Sequence, residues 1–301
     1  MKRSKSEFRL VFIIFLLNSF SMIYGQVEKI EQTLLFGSRI KDPIEMDVKV
    51  DGDKIIMNVN NKSYYPYDFV ITFGDFVNLS PKVYEQRTIL TPGLNRLFVF
   101  KIVNPEEEPK WSYKISYSMS KSGLKTDPWY PYLIPVGAGK TVNLESSKVN
   151  DLITYYLNCF SLEAGDTVFA SRKGVITALP GDPSEVDRIK AGVSLEIRHS
   201  DATTAIYIGL DPEKLFVKSG QQVYPGQPLG IISAKNLLTF SVYELKGEGQ
   251  LQSIDINYAD TGSNLISAGK INAIKAEYQK EIIKKEMTKR EISKFEKGNL
   301  Y

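Results

Sequence analysis

Short segments in which apolar and polar residues alternate, separated by turn-forming residues, run through most of this chain. Residues 193–210, VSLEIRHSDATTAIYIGL, contain two such segments around a turn at Ser200–Ala202. A period of two places successive side chains on opposite faces of a strand, whereas an amphipathic helix repeats its apolar residues every three or four positions. The 17 Tyr and 15 Phe residues favour strands as well. The chain is therefore predicted to be mainly β.

The length of 301 residues is typical of two domains. Residues 26–127 are predicted to form an antiparallel β-sandwich-like domain, because segments such as WSYKISYSMS (111–120) alternate between turns. Residues 128–258 are predicted to form a second β domain, built from hairpins with denser glycine turns. The sequence thus indicates two β domains in series.

The amino terminus has the pattern of an export signal. Four basic residues precede the apolar run LVFIIFLLNSFSMIYG, which is shorter than a membrane-spanning helix needs. Residues 1–25 are predicted to be a signal peptide, with an uncleaved anchor as the alternative. No other long apolar stretch follows, so no transmembrane span is expected in the mature chain. The expected location is the periplasm or the cell surface.

Charge and cysteine content exclude several classes of protein. The net charge of +3 is small for this length, and no nucleic-acid-binding motif is present, so no nucleic-acid partner is expected. Cys159 is the only cysteine, which excludes a disulfide-stapled fold.

The carboxyl-terminal segment 268–297 is predicted to be a charged α-helix. It is rich in Ala, Glu, Lys and Ile and has no Gly or Pro after Gly269. Its apolar stripe is narrow and broken, which favours a solvated tail helix; a coiled-coil contact or an electrostatic contact with an anionic envelope surface are the alternatives.

The second domain carries a specific order of motifs. They are Gly165-Asp-Thr-Val168, Gly174-Val175, Ile197-Arg-His199, Tyr207, Val217-Lys-Ser-Gly220-Gln-Gln-Val223, Pro225-Gly-Gln227, Leu229-Gly230 and Phe240. This order resembles the LytM/lysostaphin-like zinc metallopeptidases, which cut peptide cross-links in bacterial cell walls. The resemblance covers roughly residues 130–245, and it implies a β-hairpin fold with a groove over the catalytic metal.

The residues that the family uses for chemistry are missing. The resemblance implies two zinc-ligating histidines, a ligating aspartate and two further catalytic histidines, but His199 is the only histidine of the chain. Cys159 stands at the position of the aspartate, Thr239 and Leu237 replace the two histidines of the closing strand, and Gly209 replaces the remaining catalytic histidine. Because a catalytic zinc needs three protein ligands and an open position for water, no metal, cofactor or catalytic residue is predicted.

The resemblance therefore predicts a degenerate, inactive peptidase domain that acts as a binding, regulatory or scaffold module. Its partner would be an envelope protein or a cell-wall peptide. Six residues are predicted to lie along the remaining groove: Cys159, His199, Tyr207, Gly209, Leu237 and Thr239. The alternatives are an active metalloendopeptidase-type hydrolase with a rebuilt site, and a purely structural spacer between envelope layers.

Other chemistry has weaker support in the sequence. A relocated hydrolytic site would draw on His199 or on the acidic residues Asp166, Asp182, Asp187, Asp201 and Asp211. The motif order also resembles biotinyl/lipoyl domains, but the signature around Lys173 is absent, so Lys173 is expected to be a surface turn residue. Gly139-Lys140-Thr141 ends like a phosphate-binding loop, yet lacks the first glycine and the following helix.

Overall fold

The computed structural model describes residues 43–120, 125–150, 154–179, 194–246, 251–259, 265–270 and 272–300. The predicted signal peptide, residues 1–25, lies outside the described residues and stays a prediction. Within the described part of the chain, no helix is long and apolar enough to span a membrane.

The amino-terminal domain consists of two antiparallel sheets, as the alternation predicts. Its strands are β1 (Ile44–Asp51), β2 (Lys54–Asn61), β3 (Tyr67–Val77), β4 (Leu79–Ser80), β5 (Glu85–Leu90), β6 (Gly93–Ile102) and β7 (Lys110–Met119). One sheet has the order β1-β2-β6-β4 and the other β5-β3-β7. Both contribute to one core, in which Met57, Phe69 and Phe100 are fully buried. This arrangement confirms the sandwich-like prediction.

The second domain is also mainly β. Its strands are β8 (Pro131–Tyr132), β9 (Thr141–Asn150), β10 (Thr154–Ser161), β11 (Thr167–Phe169), β12 (Gly174–Ala178), β13 (Ser194–Arg198), β14 (Thr204–Ile208), β15 (Leu210–Leu215), β16 (Gln222–Val223), β17 (Pro228–Ile232), β18 (Leu237–Leu245), β19 (Leu251–Ile254), β20 (Asn257–Ala259), β21 (Leu265–Ser267) and β22 (Ala273–Lys275). The Gly139 turn leads into β9 rather than into a helix.

A nine-stranded sheet dominates this domain. Its order is β16-β12-β13-β14-β18-β10-β9-β22, and β19 pairs with β18. The sheets β11-β17-β15 and β21-β20-β8 complete the domain. Phe160, Tyr207 and Phe240 lie in a core that includes residues from all three sheets. We call the side of the nine-stranded sheet that faces this core the inner face, and the opposite side the outer face.

The single charged helix predicted over 268–297 is wrong in extent. Residues Ala268–Lys270 form a 3-10 turn, β22 follows, and only then come two short helices, α1 (Lys280–Lys284) and α2 (Lys289–Glu296). Edge pairing of β22 with β9 overrides the helical propensity of the first half. Thr288 caps α2 in a capping box with Glu291, which explains why the second helix starts anew there.

Candidate functional site

Strand pairing brings four of the six predicted groove residues together. Strand β10 pairs with β18 so that Cys159 lies opposite Thr239, with 3.8 Å between Cys159 Sγ and Thr239 Oγ1. On the other side of β18, Ile208 lies opposite Thr239, and Gly209 follows directly. Leu237 is two residues from Thr239 and therefore shares its face. These four residues occupy one end of the nine-stranded sheet.

Cys159, Leu237 and Thr239 belong to the outer face, and the backbone of Gly209 lies against that of Leu237. Leu238 and Phe240 are buried in the core, so the alternating Leu237 and Thr239 point away from it. Cys159, Gly209, Leu237 and Thr239 are all half-buried, so this end of the outer face is accessible to solvent. We call this cluster the outer-face patch.

Gly209 occupies a position that cannot hold a side chain. Its φ is +114°, a conformation rare for other residues, and a Cβ there would lie 2.2 Å from the carbonyl oxygen of Leu237. That contact is with backbone and cannot be relieved by rotating a side chain. The backbone of β18 therefore leaves little room for a side chain at position 209.

The chemistry of the outer-face patch is weak. Burial raises the pKa of the Cys159 thiol, which keeps it protonated and poorly nucleophilic near neutral pH. Thr239 offers a neutral hydroxyl, and Leu237 offers only apolar surface. Among the residues that the structure describes, no three His, Cys, Asp or Glu side chains are placed to hold a metal ion. The four residues of the patch are suited to contact with a partner, and they include neither a general base nor a set of metal ligands.

His199 and Tyr207 do not join the patch. Both are buried on the inner-face side, where they are at most 1% exposed. The Tyr207 hydroxyl accepts a hydrogen bond from the Ser171 N–H at 2.9 Å, and burial raises its pKa. The expectation that these two residues line the groove is wrong, because the pleat of β13 and β14 turns them inward.

His199 is held as a neutral imidazole. Its Nδ1 lies 2.8 Å from the carbonyl oxygen of Lys173, which can only accept, so Nδ1 carries the proton. Burial, reinforced by the nearby Arg172 charge, lowers the pKa of His199 to about 4. Its Nε2 is buried and has no hydrogen-bond partner among the described residues. A structural histidine fits these contacts better than a general base.

The depressed pKa of His199 predicts a pH-dependent stability. His199 takes up a proton near pH 6.5 in the unfolded chain and only near pH 4 in the folded one. The stability that this difference contributes is therefore complete above pH 6.5 and is lost as the pH falls toward 4. Between pH 7 and pH 5, the unfolding free energy of the His199→Gln variant should decrease by roughly 2 kcal/mol less than that of the unsubstituted protein. Urea titrations at both pH values measure this; equal decreases in both proteins would contradict it.

A buried ion-pair network, not anticipated from the sequence, lies beside His199. The Arg172 side chain is 3% exposed and bonds Asp201 at 2.9 Å and Glu286 at 2.7 Å. Its guanidinium also stacks 3.6 Å from the centre of the Tyr130 ring. Burial alone would raise the pKa of Glu286, but the hydrogen bonds from Arg172 outweigh it and hold that pKa below its usual value. The network fastens the carboxyl-terminal segment to two turns of the domain.

Lys173 extends this attachment, contrary to the expectation of a free surface turn. Its Nζ donates to the Glu286 carbonyl oxygen and to the Glu291 carboxylate, both at 2.8 Å. Tyr224 donates a further hydrogen bond to Glu291. Ile282, Ile283 and Met287 of the segment are buried against Leu133 and Ala259, so the predicted solvated tail is packed instead. The charged composition of the segment does not indicate these contacts in the sequence.

The amino-terminal domain packs on the other end of the outer face. The Tyr65 hydroxyl lies 3.2 Å from Thr204 Oγ1, and Arg198 donates to the Tyr64 carbonyl oxygen at 3.2 Å. Met119 packs against Ile206 and the cluster around it. This contact covers the outer face near Thr204 and leaves the patch around Thr239 half-buried.

The structure does not gather the candidates for a relocated site. Asp166 pairs with Lys140, Asp201 with Arg172, and Asp211 with Lys214. These ion pairs lie on separate turns. Asp182 and Asp187 lie outside the described residues. No Ser–His–Asp arrangement is formed within the described part, because the Asp201 carboxylate binds Arg172 and Thr203 rather than the imidazole.

Comparison with known proteins gives distant structural matches. No family profile matches the chain, and no curated protein does. The solved structures include the catalytic domain of lysostaphin from Staphylococcus simulans, 19% identical, covering 41% of this chain and 88% of that one, with a TM-score of 0.26. Helicobacter pylori Csd3 is 13% identical over 87% of this chain and 79% of its own, with a TM-score of 0.31.

A third match is the M23 metalloprotease pseudoalterin from the deep sea, which is 16% identical, covers 50% of this chain and 99% of its own, and has a TM-score of 0.33. These values are too low to carry an argument about function. The functional interpretation therefore rests on the strand pairings and side chains described above.

Proposed function

We propose that this protein is an exported cell-envelope protein whose LytM-like domain is catalytically inactive and serves as a binding, regulatory or scaffold module. The observation that carries the proposal is the outer-face patch. Cys159, Gly209, Leu237 and Thr239 lie close together, the resemblance assigns them to the positions of catalytic groups, and they include one thiol and no imidazole. Since a single thiol cannot hold a catalytic zinc, the patch supports contact with a partner rather than hydrolysis.

The partner is proposed to be an envelope protein or a cell-wall peptide. The amino-terminal domain leaves this end of the sheet half-buried, and Glu145, opposite Cys159 on β9, is exposed at its border. A half-apolar surface with a polar border is the kind of surface that binds peptide segments. The degenerate domain would keep the scaffold of a wall peptidase and use it for recognition.

Site-specific crosslinking tests the binding surface. Because Cys159 is the only cysteine, the variant Cys159→Ser/Glu145→Cys carries one exposed thiol at the border of the patch for a photoactivatable crosslinker. The matched control is Cys159→Ser/Lys82→Cys, with its thiol at an exposed position on the amino-terminal domain. We expect an adduct with isolated cell wall or an envelope protein from position 145 alone, and its loss on adding Thr239→Arg. Identical adducts from both positions, or none, would contradict the proposal.

A further inference from the structure

The charges of the carboxyl-terminal segment differ in whether they form ion pairs. Four carboxylates pair with cations of the protein: Glu277 with Lys275, Glu286 with Arg172, Glu291 with Lys173, and Glu296 with Lys284. The basic residues of α2 behave differently. Lys289, Arg290, Lys294 and Lys297 are exposed, and within the described part of the chain they form no ion pair.

The spacing of these residues makes a basic stripe. Arg290, Lys294 and Lys297 are four and three residues apart, so they follow one side of α2 and its end, with Lys289 beside them. On the opposite side, Ile292 and Phe295 pack against the cluster that contains Ile283 and Met287. Like charges at this spacing repel one another, which opposes the favourable interaction of Lys294 and Lys297 with the carbonyl end of the helix.

The segment also contacts the turn that carries an exposed aromatic residue. Lys285 Nζ lies 4.9 Å from the centre of the Tyr130 ring and 4.0 Å from the Asp127 carboxylate. Trp129, between them in sequence, is 68% exposed. A large, exposed amphipathic ring such as that of Trp129 is suited to the headgroup region of a bilayer, where its indole contacts both apolar and polar groups.

We propose that the basic stripe of α2 docks the protein on the surface of an anionic phospholipid bilayer. Attraction of exposed Lys and Arg to anionic lipid supplies the affinity, and Trp129 enters the interface. The helix lies on the surface and does not cross it, because its apolar side is occupied by the domain. This docking is independent of whether the outer-face patch binds a partner.

Vesicle co-sedimentation tests the proposal with the chain that starts at Gln26, which keeps every described residue. The vesicles are pure phosphatidylcholine or phosphatidylcholine with phosphatidylglycerol. The test variant is Lys289→Gln/Arg290→Gln/Lys294→Gln/Lys297→Gln. The control is Lys54→Gln/Lys82→Gln/Lys110→Gln/Lys114→Gln, which removes the same charge from exposed positions of the amino-terminal domain.

We expect binding to the anionic vesicles only, loss at high salt, and a fall in partition coefficient on the order of a hundredfold in the test variant but not in the control. Trp emission should shift to shorter wavelength on binding, and Trp129→Phe should abolish the shift. Absence of binding, or equal binding by both variants, would overturn the proposal. Equal binding to a soluble polyanion without a Trp shift would assign the stripe to an anionic polymer and overturn the bilayer assignment.

Discussion

Replacing Arg172 with methionine is expected to lower the unfolding free energy by about 4 kcal/mol. Methionine matches the length of the side chain but leaves the carboxylates of Asp201 and Glu286 without their shared cation, and both are largely buried. An unpaired buried charge costs far more than the ion pair itself contributes. Urea unfolding at pH 7 measures the loss.

Two further variants make this result specific. Arg87→Met breaks the pair with Glu85, in which the Arg87 side chain is 75% exposed, and should cost less than about 1 kcal/mol. Adding Glu286→Gln to Arg172→Met should recover part of the loss, because it removes one uncompensated charge. A cost for Arg172→Met no larger than that for Arg87→Met would show that the network does not hold the carboxyl-terminal segment.

Replacing Gly209 with alanine is expected to destabilise the protein by about 4 kcal/mol. The added methyl would meet the Leu237 carbonyl oxygen at 2.2 Å, and the positive φ adds backbone strain. The matched control is Gly165→Ala, since Gly165 has a φ of +90° but no atom within 4 Å of the added Cβ. That variant reports the strain alone, roughly 1 kcal/mol.

The difference in unfolding free energy between the two glycine variants measures how tightly the backbone of β18 packs against position 209. If both variants lost the same stability, the backbone at Leu237 would be free to move, and a side chain at position 209 would be accommodated. Thermal unfolding of the two variants side by side gives the comparison.

The fold class was predictable because strand alternation is a local signal. The segments 54–61 and 111–120 alternate in sequence and form β2 and β7 in the structure. The prediction of a helix over 268–279 was wrong for the opposite reason. Its helical composition is local, but β22 is stabilised by hydrogen bonds to β9, more than 120 residues earlier in the chain. Propensity alone contains no information about that edge.

The proximity of some candidate residues was predictable in the same way, whereas their role in a groove stays a prediction. The resemblance placed Cys159, Gly209, Leu237 and Thr239, and strand register brings them together. It failed for His199 and Tyr207, because the direction in which each strand turns its side chains depends on where the core lies. The Arg172–Glu286 pair joins residues 114 positions apart, and one glutamate in a charged segment carries no distinguishing signal.

The outer-face patch and the basic stripe give the proposed function two separable parts. One part recognises a partner through the half-buried surface around Thr239, and the other places the protein on an anionic surface through α2. Only the second part depends on the Arg172 network, which fixes the segment carrying α2 to the domain. Loss of that network should therefore weaken vesicle binding without changing crosslinking from position 145.

The zinc content of the purified chain from Gln26 tests the central claim most directly. The protein is incubated with excess zinc, freed of unbound metal and analysed by elemental mass spectrometry, while a parallel sample is incubated with peptidoglycan. Cys159→Ser serves as the control for binding by the lone thiol. The account predicts less than one zinc per chain and no release of peptide fragments. One zinc per chain, together with cleavage of peptidoglycan, would contradict it.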